Sequence, residues 1–302
     1  LTGESPVKIL FFGLPLAALL LARDGHEIVH AAICRKDARG VRRLRRVLGK
    51  DRVSLVPAVT PAFLSDRRRE EPDLVVSWFW TKKLPAEALK LAPLGAFGVH
   101  PSLLPRHRGP DPYFAALRAG DHETGVTAHR LDVEYDTGAL LGQKRLTIHP
   151  EWNAWTLAKK LDRPSLALLR ETALAFASGM PPTDVVQDET LATEAAPPSD
   201  DDLALDLAKP CEDLLRLIRA AAPWPGAFVT VGSETVVVTA AVRDPEAPRA
   251  LKTGDATLFQ GAFYLGAGDG VLRVTAGRLE DADDDVDAWP GDHLARALAE
   301  RL

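Results

Sequence analysis

Two short stretches of this chain gather side chains that could do chemistry. GAFGVHPSLLPRHRGPDP, residues 95 to 112, sets His100 among four prolines and two arginines directly after an apolar run. A histidine ahead of Pro101 is biased toward extended backbone, so His100 falls at the end of a strand rather than on a helix. The rigid turn and the cations that follow are weakly required for folding and suit the wall of a pocket, so the stretch reads as an active-site loop. The second stretch is DVEYDTG, a polar turn with Asp132, Glu134 and Asp136 after the strand-like GVTAHRL. Three acids in five residues also describe an ordinary solvated loop, and on its own terms the turn leaves both readings open.

The elements that must position these residues follow from hydrophobic period. VKILFF reads as a buried strand, PLAALLLARDG as a helix with proline in its first turn and glycine at its end, and HEIVHAAI as the next strand. PAFLSDRRREE (helix), DLVVSWFW (strand), PAEALKLAPLG (helix) and AFGVH (strand) continue the alternation. Alternation of this kind implies an α/β fold with a mostly parallel, Rossmann-like sheet, whose ligands bind at the carboxyl ends of the strands. A helical stretch from about Trp155 to Gly179 follows. The Pro-, Thr- and acid-rich run at 183–202 has no apolar period and reads as a linker between a domain at 1–182 and a second at 203–302. Beyond the helix CEDLLRLIRAAA, five β-type runs punctuated by glycine suggest a small β-barrel.

Composition narrows the function classes. The chain has 302 residues with 46% apolar content, enough for one large domain and a smaller one. Cys34 and Cys211 stand apart without clustered histidines, against both a disulfide framework and a zinc site, so no metal is expected and a reducing cytoplasm is the natural compartment. The apolar run from Ile9 to Ala22 is broken by Gly13 and Pro15 and is too short for a membrane span. The first turn, FFGLPLA, has one glycine where a dinucleotide fingerprint needs three, against a nicotinamide oxidoreductase. Residues 200–302 carry 10 Lys and Arg against 19 Asp and Glu, so this part is no basic nucleic-acid clamp.

Taken in order, HPSLLPRHRGPDP, GDHETGVT and DTGALL resemble the signature of the folate-dependent formyltransferases. VKILFFGLP upstream and IRAAAPWPGAF at 218–228 extend the resemblance toward the methionyl-tRNA formyltransferases, with a catalytic domain followed by an OB-like β-barrel. The resemblance implies formyl transfer from 10-formyltetrahydrofolate to a primary amine, the methionyl group of initiator tRNA first, an amino sugar nucleotide or another small amine second. Attack by an amine builds negative charge on the formyl oxygen and positive charge on nitrogen. His100 would serve at the oxyanion and in proton transfer, with Asp136 holding the imidazole, ordering a water and favouring the protonated ring. Trp80, Thr81, Lys82 and Leu84, with Leu103 and with Asp132, Val133, Glu134 and Tyr135, would bracket the pterin. Trp78, Phe79 and Trp80 read equally as core. Ser102, Arg108 and Gly109 would meet the substrate, and Arg39 and Arg42 belong to a run at 34–50 with eight cations and one acid, placed to contact tRNA. The same run fits a surface helix with solvated arginines. The family places asparagine two residues before the histidine, where this chain has Gly98. Three outcomes follow: a slowed or water-assisted enzyme, a replacement donor such as Ser77 or His129, or a folate-binding protein without turnover.

Overall fold

The computed structural model describes residues 6–56, 58–245, 251–281 and 288–302. In chain order the elements of the first half are β1 (Lys8–Gly13), α1 (Pro15–Arg23), β2 (Glu27–Ile33), α2 (Val41–Leu48), β3 (Val53–Leu55), α3 (Pro61–Arg68), β4 (Leu74–Trp78), α4 (Ala86–Leu89) and β5 (Ala96–His100). They continue with α5 (Pro112–Ala119), β6 (Glu123–Arg130), β7 (Leu140–Thr147) and α6 (Ala154–Ala177). The later elements are α7 (Asp200–Leu203), α8 (Cys211–Ala221), β8 (Ala227–Val231), β9 (Glu234–Arg243), β10 (Ala256–Phe259), β11 (Ala262–Ala267), β12 (Gly270–Leu279), β13 (Trp289–Pro290) and α9 (Gly291–Ala299).

The chain divides into two compact units. One holds the described residues to Pro112 together with Glu123–Thr147 and Lys160–Ala195; the other holds Tyr113–His122, Ile148–Lys159 and the residues from Ala196 onward. The first unit is built on a seven-stranded sheet of order β3-β2-β1-β4-β5-β6-β7. Pairing is parallel from β3 to β5 and antiparallel at β5–β6 and β6–β7, which gives the mostly parallel, Rossmann-like sheet that the alternation implies. β1 and β4 are central strands covered on both faces, which is why KILFFG and LVVSW are nearly unbroken apolar runs. One face packs Leu10, Phe12, Val75, Leu84 and Ala88 into a common core. Trp78 is also buried, and its indole Nε1–H donates to Ser165 Oγ of α6 at 2.8 Å.

The second unit contains an antiparallel sheet of order β10-β11-β12-β9-β8, with β13 pairing to β12. Among the described residues β8 and β10 do not pair, so the sheet is a curled half-barrel rather than a closed one. Of the acidic run at 281–287, residues 282–287 lie outside the described residues. Asp281 is held by Arg301 Nη1 at 2.7 Å.

Three elements differ from expectation. PAEALKLAPLG forms only one turn of helix, α4, because Pro93 and Gly95 close off the run. LLGQKRLT, unassigned from the sequence, forms β7, an edge strand in which the alternate residues Gln143, Arg145 and Thr147 are exposed. The segment read as a linker from 183 is fastened to the first unit up to Ala195: Val185 pairs with Leu140, and Glu194 with Arg108. Its backbone polar groups are satisfied by neighbouring loops, so the lack of an apolar period did not mean a free tether.

Candidate active site

The site is assembled at the carboxyl ends of β4 and β5 and along β6. Gly98 and His100 lie two apart on β5 and therefore face the same side of the sheet. In register, Gly98 stands between Ser77 of β4 and His129 of β6, so these positions form one row across three strands. The loop after β6 brings Asp136 back to this row. Its Oδ2 lies 3.3 Å from His100 Nδ1, and its Oδ1 lies 3.5 Å from His129 Nε2. The backbone N–H of Gly109 donates to Asp136 Oδ2 at 2.9 Å.

Backbone conformation holds the carboxylate in place. Asp136 has φ +58, a left-handed conformation that costs a non-glycine residue of the order of 1 kcal/mol or more. Gly138 follows because a Cβ there would sit 2.0 Å from Arg130 O. Gly109 has φ +116 and lies against Ala195, where a Cβ would meet the carbonyl oxygen at 3.0 Å.

The two histidines differ in their partners. Burial, opposed by Asp136 and aided by His100, lowers the pKa of His129 to about 4, so this ring is neutral at pH 7. Its Nδ1–H donates to Arg130 O at 2.8 Å, which leaves Nε2 an acceptor. His100 is also buried, and its Nε2–H donates to His107 O at 2.8 Å. Its Nδ1 is turned to the Asp136 carboxylate.

The space beside Gly98 is occupied. A Cβ at this position would lie 3.0 Å from Leu131 Cδ2, 3.3 Å from Ser77 O and 3.6 Å from Ser77 Cβ. Leu131 fills part of the volume that a longer side chain would take, and the Ser77 side chain borders it.

The remaining candidates separate into those that meet and those that do not. Lys83 Nζ binds Glu134 Oε2 at 2.7 Å and lies 5.1 Å from the centre of the Tyr135 ring, so the loops at 80–84 and 132–135 are drawn together. Asp132 and Val133 line a cleft of about 430 Å³ with Leu89, Leu94, Ala96 and Leu131. This volume and apolar lining suit a flat heterocycle. Thr81 and Lys82 are exposed on the adjoining loop. Trp80 packs edge-on against Phe12 at 5.3 Å and Leu84 is buried in the core, so the side chains of both serve packing. Leu103 covers Gly125 of β6.

Three residues expected at the substrate have partners within the protein. Ser102 is fully buried, donates through Oγ to Arg106 O at 2.6 Å and so braces its own loop. Arg108 is 5% exposed, and its guanidinium is spent on Glu189 and Gln187. Gly109 turns its N–H to Asp136 Oδ2 at 2.9 Å. Arg39 and Arg42 are exposed, and Arg42 joins Lys36, Gly40, Val41 and Arg45 around a groove of about 360 Å³. Gln187, Glu189 and Thr193 escaped the sequence reading because nothing in their spacing marks them; their roles exist only through tertiary hydrogen bonds.

With the geometry in hand, comparison with known proteins gives a consistent picture. A family model described as formyl transferase matches residues 36–172, and one described as formyl transferase, C-terminal domain, matches residues 199–284. Among solved structures, HypX from Aquifex aeolicus in complex with tetrahydrofolic acid has a TM-score of 0.68 at 20% identity, covering 98% of this chain and 47% of that one. The chain thus spans about half the length of HypX. An N-formyltransferase from Helicobacter canadensis, in complex with folinic acid and dTDP-3-aminofucose, has a TM-score of 0.67 at 13% identity over 94% of this chain and all of its own. Glycinamide ribonucleotide transformylase 1 from Symbiobacterium toebii has a TM-score of 0.54 at 23% identity, covering 62% of this chain and 99% of that one.

Proposed function

Because the chain belongs to the formyl transferase family, we propose that it moves a formyl group from 10-formyltetrahydrofolate to a primary amine on a small, phosphate-bearing acceptor of the amino sugar nucleotide class. The observation that carries the reading is the contact between His100 and Asp136, 3.3 Å apart at the carboxyl end of β5; Leu131, which borders Gly98 of the same strand, also lines a cleft of about 430 Å³. The cleft, with Asp132 at its polar rim, fits a pterin, and the donor brought there supplies the activated formyl group. His100 faces the charge that develops. To reach the formyl oxygen, its Nε2–H exchanges the His107 carbonyl for another acceptor, so the donor on the ring is already made. Asp136 keeps the other nitrogen oriented and, through an ordered water, takes the proton that the attacking amine must lose.

The acceptor follows from charge and distance. Lys36, Arg42 and Arg45 surround the groove at the start of α2, beyond the carboxyl end of β2. In the sheet order β2-β1-β4-β5 three strand spacings separate it from His100, roughly 14 Å at about 4.8 Å each. A nucleoside diphosphate sugar can span that distance, with its phosphates at the cations and its amine at the imidazole. Solved sugar N-formyltransferases share this fold over 94% and 92% of the chain, which supports the reading. The same cations favour initiator methionyl-tRNA as a second reading, but the acidic balance of residues 200–302 opposes a nucleic acid there. Release of tetrahydrofolate, followed with dTDP-linked amino sugars and with initiator methionyl-tRNA, separates them. Turnover with the sugars alone is expected. Turnover with the tRNA alone transfers the assignment, and no turnover with any amine despite donor binding reduces the protein to a folate binder.

A further inference from the structure

The segment 185–195 crosses the two loops that supply His100 with its partners. The Gln187 side chain, 5% exposed, sits at the crossing. Its Nε2 donates to the carbonyl oxygens of Asp136 and Gly138, both at 2.7 Å, and its Oε1 accepts from Arg108 Nη2 at 2.7 Å. All the hydrogen-bonding capacity near its amide is thus divided between the turn that carries the carboxylate and the loop that carries Gly109. Thr193 fixes the other partner: its Oγ1 accepts from His107 N at 2.8 Å, and its carbonyl accepts from Arg108 N at 2.8 Å. Ala195 N donates to Arg108 O, and Asp111 N donates to Ala195 O at 3.0 Å, closing the strap on the far side of the loop.

A surface loop needs no such arrangement, and burying an amide is favourable only when its donors and acceptor are satisfied. The elements that this amide joins are the ones that present Asp136 Oδ2, the Gly109 N–H and the His107 carbonyl to His100. We propose that Gln187 is a positioning residue for formyl transfer, which acts by locking the Asp136 turn to the Arg108–Gly109 loop and so fixes the carboxylate against His100. The proposal rests on the transferase reading for its effect on rate and on the Gln187 hydrogen bonds for its effect on geometry.

The test compares Gln187→Ala and Gln187→Glu with the native protein. The glutamate keeps an acceptor for Arg108 but loses the N–H donors to the two carbonyls, so both variants should lose kcat by roughly 10- to 100-fold, while the KM for the formyl donor stays within about threefold. Hydrogen exchange at the Gly109 amide, read by NMR, gives an answer even without turnover: the amide should exchange at least tenfold faster in both variants. Either kcat within threefold of native in both variants, or unchanged Gly109 protection in a folded variant, overturns the proposal. A rise in KM with kcat preserved does so as well. Native protein with no turnover, yet with Gly109 protection lost in the variants, instead sinks the transferase reading and keeps the strap.

Discussion

Restoring an amide at position 98 should accelerate the reaction, and the structure sets both the gain and the obstacle. An oxyanion donor lost from a site of this kind costs about 2.7 to 4 kcal/mol, or roughly 100- to 1000-fold in kcat. Gly98→Asn places its amide on the same face as His100, two residues away along β5. The obstacle is Leu131, whose Cδ2 would stand 3.0 Å from the new Cβ, and the Ser77 carbonyl at 3.3 Å. The leucine methyl is the end of a flexible, half-buried side chain and can retreat, whereas the carbonyl belongs to β4 and cannot; overpacking of this order costs about 1 to 3 kcal/mol of stability. The expected result is therefore a more active and less stable protein. Gly98→Asn/Leu131→Ala should recover stability and show the larger gain in kcat, while Gly98→Ala shows the steric cost without the gain. The assay is steady-state release of tetrahydrofolate, with thermal melting in parallel. Unchanged kcat in both folded asparagine variants would refute the argument that the missing amide limits the rate.

Two further outcomes follow from buried polar groups. His30 is 1% exposed, and burial, then the adjacent Arg67, lowers its pKa from 6.5 to about 4. The unfolded chain binds this proton near 6.5 and the folded chain only near 4, so stability is full above about pH 6.5 and falls as pH drops toward 4. The melting temperature should decline across that window, less steeply in His30→Gln; parallel curves would contradict the assignment. Ser165→Ala removes the acceptor of the buried Trp78 indole N–H and should cost about 1 to 3 kcal/mol in urea unfolding, with no cost if that bond is unimportant.

The alternation of helix and strand was legible because β1, β2 and β4 are buried on both faces and read as apolar runs. β7 was not, since an antiparallel edge strand that alternates exposed Gln143, Arg145 and Thr147 with partly buried residues has no continuous apolar signature. Period also failed at 183–195, where backbone and side-chain hydrogen bonds rather than apolar contacts tie the chain down. At the site, His100 and Asp136 were picked out through a motif, not through any spacing that predicts contact across 36 residues. Ser102 and Arg108 belong to the same motif, but they turn inward: a serine hydroxyl and a guanidinium beside a tight loop find backbone and carboxylate partners before any ligand. Residue type alone does not distinguish those fates.

In the proposed reaction, formyl transfer turns on the Asp136 carboxylate held against the His100 imidazole. Asp136→Asn keeps the shape and an oxygen for the Gly109 N–H while removing the charge, so its single-turnover rate with saturating donor and acceptor tests that claim most directly. A loss of about 100-fold or more is expected in a protein that melts within a few degrees of native; a rate equal to that of the native enzyme would mean the carboxylate plays no part in transfer.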